Sequence, residues 1–414
     1  MTRKLILGTL MMVALVLLFL ARATPGGIRS GIGSGVGNEP ITSEYKVLQP
    51  ISHGNLTIFP VMAAGKAHDT SDFLTLDEGI RTGDVVVTEV GKMHTMIRRP
   101  LQNYRPPGGA QVNTLVLINN SKRPLILLAG EIVTGGKQDR VVGKDRIIAP
   151  ESDPVDLAVF CVEPGRWVES SAKFDTHAGV MAQPSVRKQA MAAKDQQKVW
   201  AEVQSQKAKI AQNLASAPGI AASRPSSNET VASSPSAVAD LSETIQVNGE
   251  PVVVTRSGAN AIRQLDSTTS YAKARENTVV QDQIKSIADP VEKSFESVIK
   301  QLRDQNAVGV VVAVKGKIIW ADIFASKELL SKYWPKLLQS YAAEAFSATE
   351  GHGDADLKSA QEFVDNWKAT HEVVDSEPGL YRQTEMTGNT FRAFELTSLL
   401  PKQIFDLHLS KMAE

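Results

Sequence analysis

From Tyr45 onward the chain reads as short apolar runs cut by turn residues. Leu56 to Val61, Val85 to Val90, Val112 to Asn119 and Leu125 to Ala129 are β-branched or leucine-rich, with Gly, Asn, Asp and Pro between them. That punctuation predicts strands. Asn119 to Pro124 reads as the hairpin loop joining the last two. Arg146 to Ala149 and Val155 to Val162 continue the pattern, so residues 45–162 form an expected antiparallel, β-rich half.

At Pro184 the period changes. Val186 to Leu214 is rich in alanine and glutamine, and Trp200, Val203, Ile210 and Leu214 fall near a narrow helical stripe. Residues 215–241 then turn to Ser, Ala and Pro. Such a stretch buries too little surface to offset the entropy of ordering, so a disordered insert is expected. Ile245 to Val254 carries an Asn-Gly turn signal and reads as an isolated hairpin.

Order is expected to return by about Leu265. Asp289-Pro290-Val291-Glu292 reads as a helix start, with an N-cap, a proline at N1 and a glutamate reaching back from N3. Val291, Phe295, Val298, Ile299 and Leu302 follow on one face. Ala307 to Val314 and Ile318 to Phe324 flank Lys315-Gly316-Lys317 as a tight hairpin. Ser326 opens a helix carrying Leu329, Tyr333, Leu337 and Tyr341, which Pro335 should kink or split. A further helix is expected up to Ala369, a hairpin around Thr387-Gly388-Asn389 within residues 381–396, and a last strand over Ile404 to Leu409. The expected fold is α+β: one domain over 44–412, an antiparallel β-rich first half packed with a helix–hairpin–helix second half.

The N-terminus adds a location. Arg3 and Lys4 precede an apolar run from Leu5 to Leu20, and Ala21-Arg22-Ala23 offers a small-x-small cleavage site. This is the order of a secretory signal, so residues 1–23 read as a signal peptide of an exported, periplasmic or extracellular protein. The alternative is an uncleaved membrane anchor over residues 5–20, the one contact with a membrane the chain suggests. Residues 24–43 alternate glycine with other residues but lack a strand before them and a helix after them. They read as a flexible linker, not a dinucleotide fingerprint.

Composition then narrows the chemistry. Lysines plus arginines equal aspartates plus glutamates, 45 each, and no basic stripe is sustained, so no nucleic-acid partner is expected. The single cysteine, Cys161, excludes an internal disulfide and a Cys-rich zinc site. It sits within an apolar run, where a cysteine is usually a small buried hydrophobe, although His177 could serve it as a base. The seven histidines include no i, i+4 pair and His-Glu-x-x-His is absent. His352-Gly353-Asp354 reads as loop polarity. No metal site is expected, and nothing names a cofactor.

The densest chemistry lies in Leu127 to Arg140, where an apolar run ends in Gly135-Gly136 and then Lys137-Gln138-Asp139-Arg140. A phosphate loop needs four residues between its first glycine and its Gly-Lys, then Ser or Thr. Here five separate Gly130 from Gly136, and Gln138 follows the lysine, so that reading fails. A looser anion nest around Gly135 and Gly136, or a glycine-bent strand braced by its own polar residues, remains. Glu131 closes the apolar run and needs a cation. Glu163, Arg166 and Trp167 sit just past a strong strand, where arginine can fork onto an anion and tryptophan can stack. Asp322, inside an apolar strand, either binds backbone N–H groups or faces the site. The candidate ligand-binding set is thus Gly135, Gly136, Lys137, Gln138, Arg140, Glu163, Arg166 and Trp167. Glu131 and Asp139 are the candidate general bases.

Three of these segments carry a family resemblance. The strand ending in Gly130-Glu131 with Gly135 to Arg140 after it, the Cys161 to Trp167 segment, and Ala307 to Ile318 followed by Ala321-Asp322 occur together in order. They resemble the ARG and Rhodanese-Phosphatase-superfamily-associated protein (ARPP) domain family, from about Tyr45 to the C-terminus. The resemblance implies a link to ADP-ribose or NAD-derived metabolites, through the ADP-ribosylglycohydrolases and rhodanese-like phosphatases that give the family its name. Two readings follow. One is binding, with or without hydrolysis, of a small anionic or nucleotide-derived ligand, with Lys137 and Arg140 on its anionic groups and Trp167 stacked. The other is a non-catalytic cell-envelope module that binds a partner, its polar cluster an internal brace.

Overall fold

The apolar run Ala307–Val314 is buried along its whole length. It lies inside a nine-stranded sheet whose centre is covered on both faces, and such strands carry no polar alternation. The computed structural model describes residues 44–65, 67–96, 113–176, 180–221, 242–301, 307–349 and 353–414. The signal or anchor at 1–23, the linker at 24–43, His177 and His352 lie outside the described residues.

In chain order, β1 (Tyr45–Val47), β2 (Ile51–His53) and β3 (Leu56–Ala63) come first. β4 (Leu74–Thr75) leads into α1 (Leu76–Thr82), then β5 (Val85–Thr88) and β6 (Thr114–Asn119). β7 (Leu125–Leu127), β8 (Ile132–Gly135), β9 (Arg140–Val142), β10 (Arg146–Ile148), β11 (Val155–Cys161) and β12 (Phe174–Asp175) follow. Next are α2 (Pro184–Lys188), a π-helical turn (Gln189–Ala193), α3 (Gln196–Ser216) and the hairpin β13 (Glu243–Val247) to β14 (Glu250–Val254). α4 (Arg256–Ser267), α5 (Tyr271–Glu276) and α6 (Thr278–Gln301) precede β15 (Ala307–Val314) and β16 (Lys317–Phe324). The chain ends with α7 (Lys327–Ser347), α8 (Leu357–Asp365), β17 (Ala369–Glu377), β18 (Tyr381–Gly388), β19 (Phe391–Leu400) and β20 (Gln403–Ala413). Among the described residues helix and strand contribute almost equally, 35% and 36%, so the α+β expectation holds.

The large sheet runs β1-β3-β15-β16-β20-β19-β18-β17, with β2 added to β3, all antiparallel. Val310, Val312, Trp320 and Phe324 point to one face, where α3, α6 and α7 bring Leu214, Ile284, Leu329 and Leu337. Val311, Ala313, Ala321 and Ile323 point to the other, under Ala360 and Val364 of α8. The second sheet runs β12-β8-β9-β11-β6-β5, and a small third sheet, β10-β7-β4, packs Leu125, Leu127 and Ile148 against its Val85, Val87, Leu115 and Leu117.

Several local expectations give way to tertiary packing. Asn119 to Pro124 is no hairpin loop, because β6 and β7 lie in different sheets. Asp289 does not start a helix. Asn277 accepts from the N–H groups of Val279 and Val280, and α6 runs through Pro290. Pro335 likewise leaves α7 in one piece. Residues 215–221 of the expected disordered insert are placed and packed, with Ala215, Ala217 and Ile220 in the core; residues 222–241 lie outside the described residues. The helix expected up to Ala369 stops at Asp365, and Ala369 begins β17. The second half therefore supplies six strands of the large sheet as well as its helices.

Candidate functional site

The backbone from Gly130 to Arg140 is held in a shape that only glycine accepts at key points. Gly136 has φ +48°, and a Cβ there would lie 2.3 Å from Phe174 Cζ and 2.8 Å from Glu89 Oε1. The amides that a nest would turn on a ligand are already bonded. Gly135 N donates to Asp139 Oδ1 at 3.1 Å, Gly136 N to Ser171 Oγ at 3.2 Å and Lys137 N to Glu89 Oε1 at 3.0 Å. The anions in this nest are the protein's own Asp139 and Glu89.

Asp139 and Arg166 sit at the centre of the bend. Arg166 Nη2 donates to Glu163 Oε2 at 2.5 Å and to Asp139 Oδ1 at 3.3 Å, and its Nη1 donates to the Gly136 carbonyl at 3.0 Å. Asp139 Oδ2 also accepts from Ser270 Oγ at 2.6 Å. Burial raises the Asp139 pKa, with Glu163 adding to it, while Ser270, Gly135 and Arg166 pull it back. Gln138 Nε2 donates to the Glu163 carbonyl at 3.1 Å. Arg140 is fully buried, and its Nη1 donates to the Asp139 carbonyl at 3.4 Å. Lys137 Nζ lies 4.9 Å from the centre of the exposed Trp167 ring. Cys161 is buried, which pushes its thiol up and away from nucleophilic use.

Of these residues Gly135, Asp139 and Arg166 line an open cleft of about 520 Å³, together with Ser170, Lys173 and Lys273. Gly136, Lys137, Gln138, Arg140, Glu163 and Trp167 do not line it. A second cleft of about 690 Å³ adjoins the first, since Ile80 and Asp175 belong to both. Its walls include Asp77, Arg81, Lys332 and Lys336.

Lys336 ties this second cleft to the hairpin. Its ammonium contacts Glu131 Oε1 and lies 2.7 Å from Asp77 Oδ2 and 4.7 Å from the Tyr333 ring centre. Glu131 is buried, and its second oxygen accepts from Leu128 N at 2.7 Å. Burial raises the Glu131 carboxyl and works against the Lys336 charge, but Glu131 and Asp77 together raise the Lys336 pKa, so the ammonium persists. Thus the cation that Glu131 required comes from α7, not from Lys137 or Arg140.

A third cluster is sealed. Arg187 donates to both Asp322 oxygens, at 2.8 and 3.1 Å, and stacks 4.5 Å from the Trp320 ring centre. Tyr341 O–H donates to the same carboxylate. His408 bridges Asp145 Oδ2 at 2.6 Å and Asp322 Oδ1 at 3.1 Å, and Asp145 Oδ1 accepts from Ala129 N at 2.7 Å. Asp322 therefore binds side chains instead of backbone N–H groups among the described residues, and it is fully buried. Burial penalises its ionised form, but Arg187 and His408 outweigh this and hold it well below the usual carboxylate range. Burial likewise opposes the imidazolium, yet Asp145 and Asp322 raise His408 to about 9.

Sequence reasoning missed Lys336, Arg187, Asp145, Tyr341 and His408. A usable signal existed for Lys336, which lies three positions after Tyr333 on the apolar stripe of α7, where a lysine needs a partner. No comparable signal marks Asp145 or His408.

The fold and site define an α+β protein whose glycine hairpin is bound by the buried Glu131–Lys336 ion pair to one long helix, beside two adjoining clefts. The chain belongs to the ARG and Rhodanese-Phosphatase-superfamily-associated Protein domain family, whose model matches residues 44–410. No curated protein and no solved structure matches the chain.

Proposed function

We propose that the protein binds a small anionic molecule in the two adjoining clefts beside the glycine hairpin. The observation that carries this reading is a set of three cations, Arg81, Lys173 and Lys273, which line those clefts with no ion-pair partner among the described residues. Arg166, Lys332 and Lys336 add three paired cations to the walls, against four carboxylates, Asp77, Asp139, Asp175 and Glu276. Ser170 and Ser171 supply neutral hydrogen-bonding groups. A phosphate-bearing or nucleotide-derived ligand of the ADP-ribose type suits that lining, and the family's name supports the choice by association. Asp139 is the candidate base that faces ligand space, whereas Glu131 reaches it only through Lys336.

The competing reading is an envelope module that binds a partner without chemistry. It is favoured by the nest itself, whose amides are all taken by Asp139, Ser171 and Glu89. Either role is proposed to be played outside the cytoplasm, on the strength of the charged, apolar and small-residue order of residues 3–23. Mass spectrometry of the mature N-terminus tests export, and an unprocessed chain recovered in the cytoplasm overturns it.

Thermal unfolding of the full chain against NAD, ADP-ribose and sugar phosphates separates the two roles. A ligand at 100 times its dissociation constant stabilises by roughly 2.7 kcal/mol. The double variant Lys173→Ala/Lys273→Ala is expected to lose that shift while keeping the unliganded melting temperature, because both side chains are exposed. Absence of any shift overturns the anion-binding reading.

A further inference from the structure

A third cavity, of about 260 Å³, lies between β11, the π-helical turn and the β17–β19 end of the large sheet. It shares no wall residue with the two clefts. Phe160, Met191, Val374 and Phe394 make its walls mostly apolar. Its only charged wall residues are Lys144 and Lys194, whose partners Asp375, at 2.6 Å, and Glu385, at 3.0 Å, stand outside the wall.

The backbone around it departs from regular geometry on two sides. Ala190 and Met191 belong to the π-helical turn, and Lys194 just after it has φ +51°, which a side-chain-bearing residue adopts at a cost. Val374 sits at the register shift between Val373 and Asp375, so a β-bulge pushes it to the cavity. Such irregularities concentrate where a protein aims side chains at something. Gln383 gives that something a polarity. It is only 1% exposed, it lines the cavity, and its Nε2 has no acceptor among the described residues. A buried donor without an acceptor costs the protein stability unless a ligand supplies one. Asp375 is the cross-strand partner of Gln383, so Lys144, bonded to Asp375, ends on the same patch as the free amide.

We propose that this cavity binds a small amphipathic acid, an acyl or aryl carboxylate. Its carboxylate accepts from Gln383 Nε2 beside the Lys144 ammonium, and its apolar body lies against Phe160, Met191 and Phe394. Scaled from the benzene held by a cavity of roughly 150 Å³, the space suits about ten heavy atoms. Octanoate has that size and is the probe.

The test is calorimetric titration of the full chain with octanoate and with 1-octanol. Octanoate is expected to bind, and 1-octanol to bind at least about tenfold more weakly. Ala158 is an exposed wall residue on β11, so Ala158→Trp fills the cavity from its mouth and is expected to abolish binding. Gln383→Leu removes the unpartnered donor. It is expected to weaken octanoate about tenfold while leaving the melting temperature unchanged or higher. A residue kept for the fold alone gives the reverse, a lower melting temperature with unchanged affinity, and that result overturns the proposal. So does the absence of octanoate binding at about 5 mM, unchanged binding by Ala158→Trp, or 1-octanol binding as tightly as octanoate.

Discussion

Arg187 and Asp322 stand 135 positions apart in the chain, yet both are fully buried and joined by two hydrogen bonds of 2.8 and 3.1 Å. Neither charge can be solvated, so each is tolerable only because the other is there. Removing one partner of such a pair costs about 3–5 kcal/mol, whereas replacing both with apolar residues of similar size can be neutral. Asp322→Asn is therefore expected to lower the unfolding free energy by about that amount in urea titrations. Arg187→Met/Asp322→Leu should recover most of it. A loss for Asp322→Asn as small as that of a surface change would mean the pair is not sealed.

The same cluster fixes a pH dependence. His408 is raised to about 9 in the folded protein, above the 6.5 of a free imidazole. Between those values the folded state binds more protons than the unfolded one, so stability falls as pH rises. The contribution is complete below about pH 6.5 and lost above pH 9, and over that window it amounts to about 3 kcal/mol. Asp322 acts in the opposite direction: its carboxyl is depressed, so its contribution is present above the usual aspartate range and disappears on acidification. Urea midpoints measured from pH 6 to 10 are expected to decline, and His408→Gln should flatten that decline. A flat wild-type profile would overturn the assignment.

What the sequence revealed, and what it hid, follows from the range of the interactions. Short-range grammar was legible. Lys315 and Gly316, both at positive φ, make the tight turn between β15 and β16, and Ser326 caps α7 through the N–H of Leu329. The Asn248-Gly249 hairpin and the glycine-bent strand after Gly130 also appear as read. Long-range partnerships were not. Arg140 looks from the sequence like a ligand-facing cation because it follows three polar residues, but β9 lies between β8 and β11 and carries it inward to zero exposure. The lysine for Glu131 lies 205 positions away on α7, so although its place on the apolar stripe marks it as needing a partner, no spacing ties it to Glu131. Asp289 has every local mark of a helix start, and Asn277 captures that role because Val280 and Ile284 extend the buried face upstream.

Gly130 offers a local test of how tightly this centre is built. Its φ is +94°, and a Cβ would lie 2.5 Å from Arg187 Cγ and 2.7 Å from Arg187 Cδ. Gly130→Ala thus combines backbone strain with displacement of a buried arginine from Asp322. A cost of about 2–4 kcal/mol is expected. At Gly83, also at positive φ but with open space around its Cβ, alanine carries the strain alone. Comparing the two melting temperatures isolates the packing contribution. Equal losses would show that Arg187 moves aside without penalty.

Lys336 makes the connection between brace and cleft testable. Its ammonium lies between Glu131 and Asp77, the first sealed beneath the hairpin and the second on the cleft wall. Lys336→Met keeps the length of the side chain but strands the Glu131 carboxylate in the core, so a loss of about 3–5 kcal/mol is expected. Glu131→Leu in the same chain removes the stranded charge, and the double variant should regain more than half of that loss. If Lys336 serves the fold alone, the double variant regains ligand-induced stabilisation along with its stability. If the ammonium also faces the bound anion, stability returns while the ligand shift stays reduced about tenfold in affinity. Measuring the melting temperature of both variants with and without ADP-ribose separates these outcomes, because the two roles of one lysine are read on different axes.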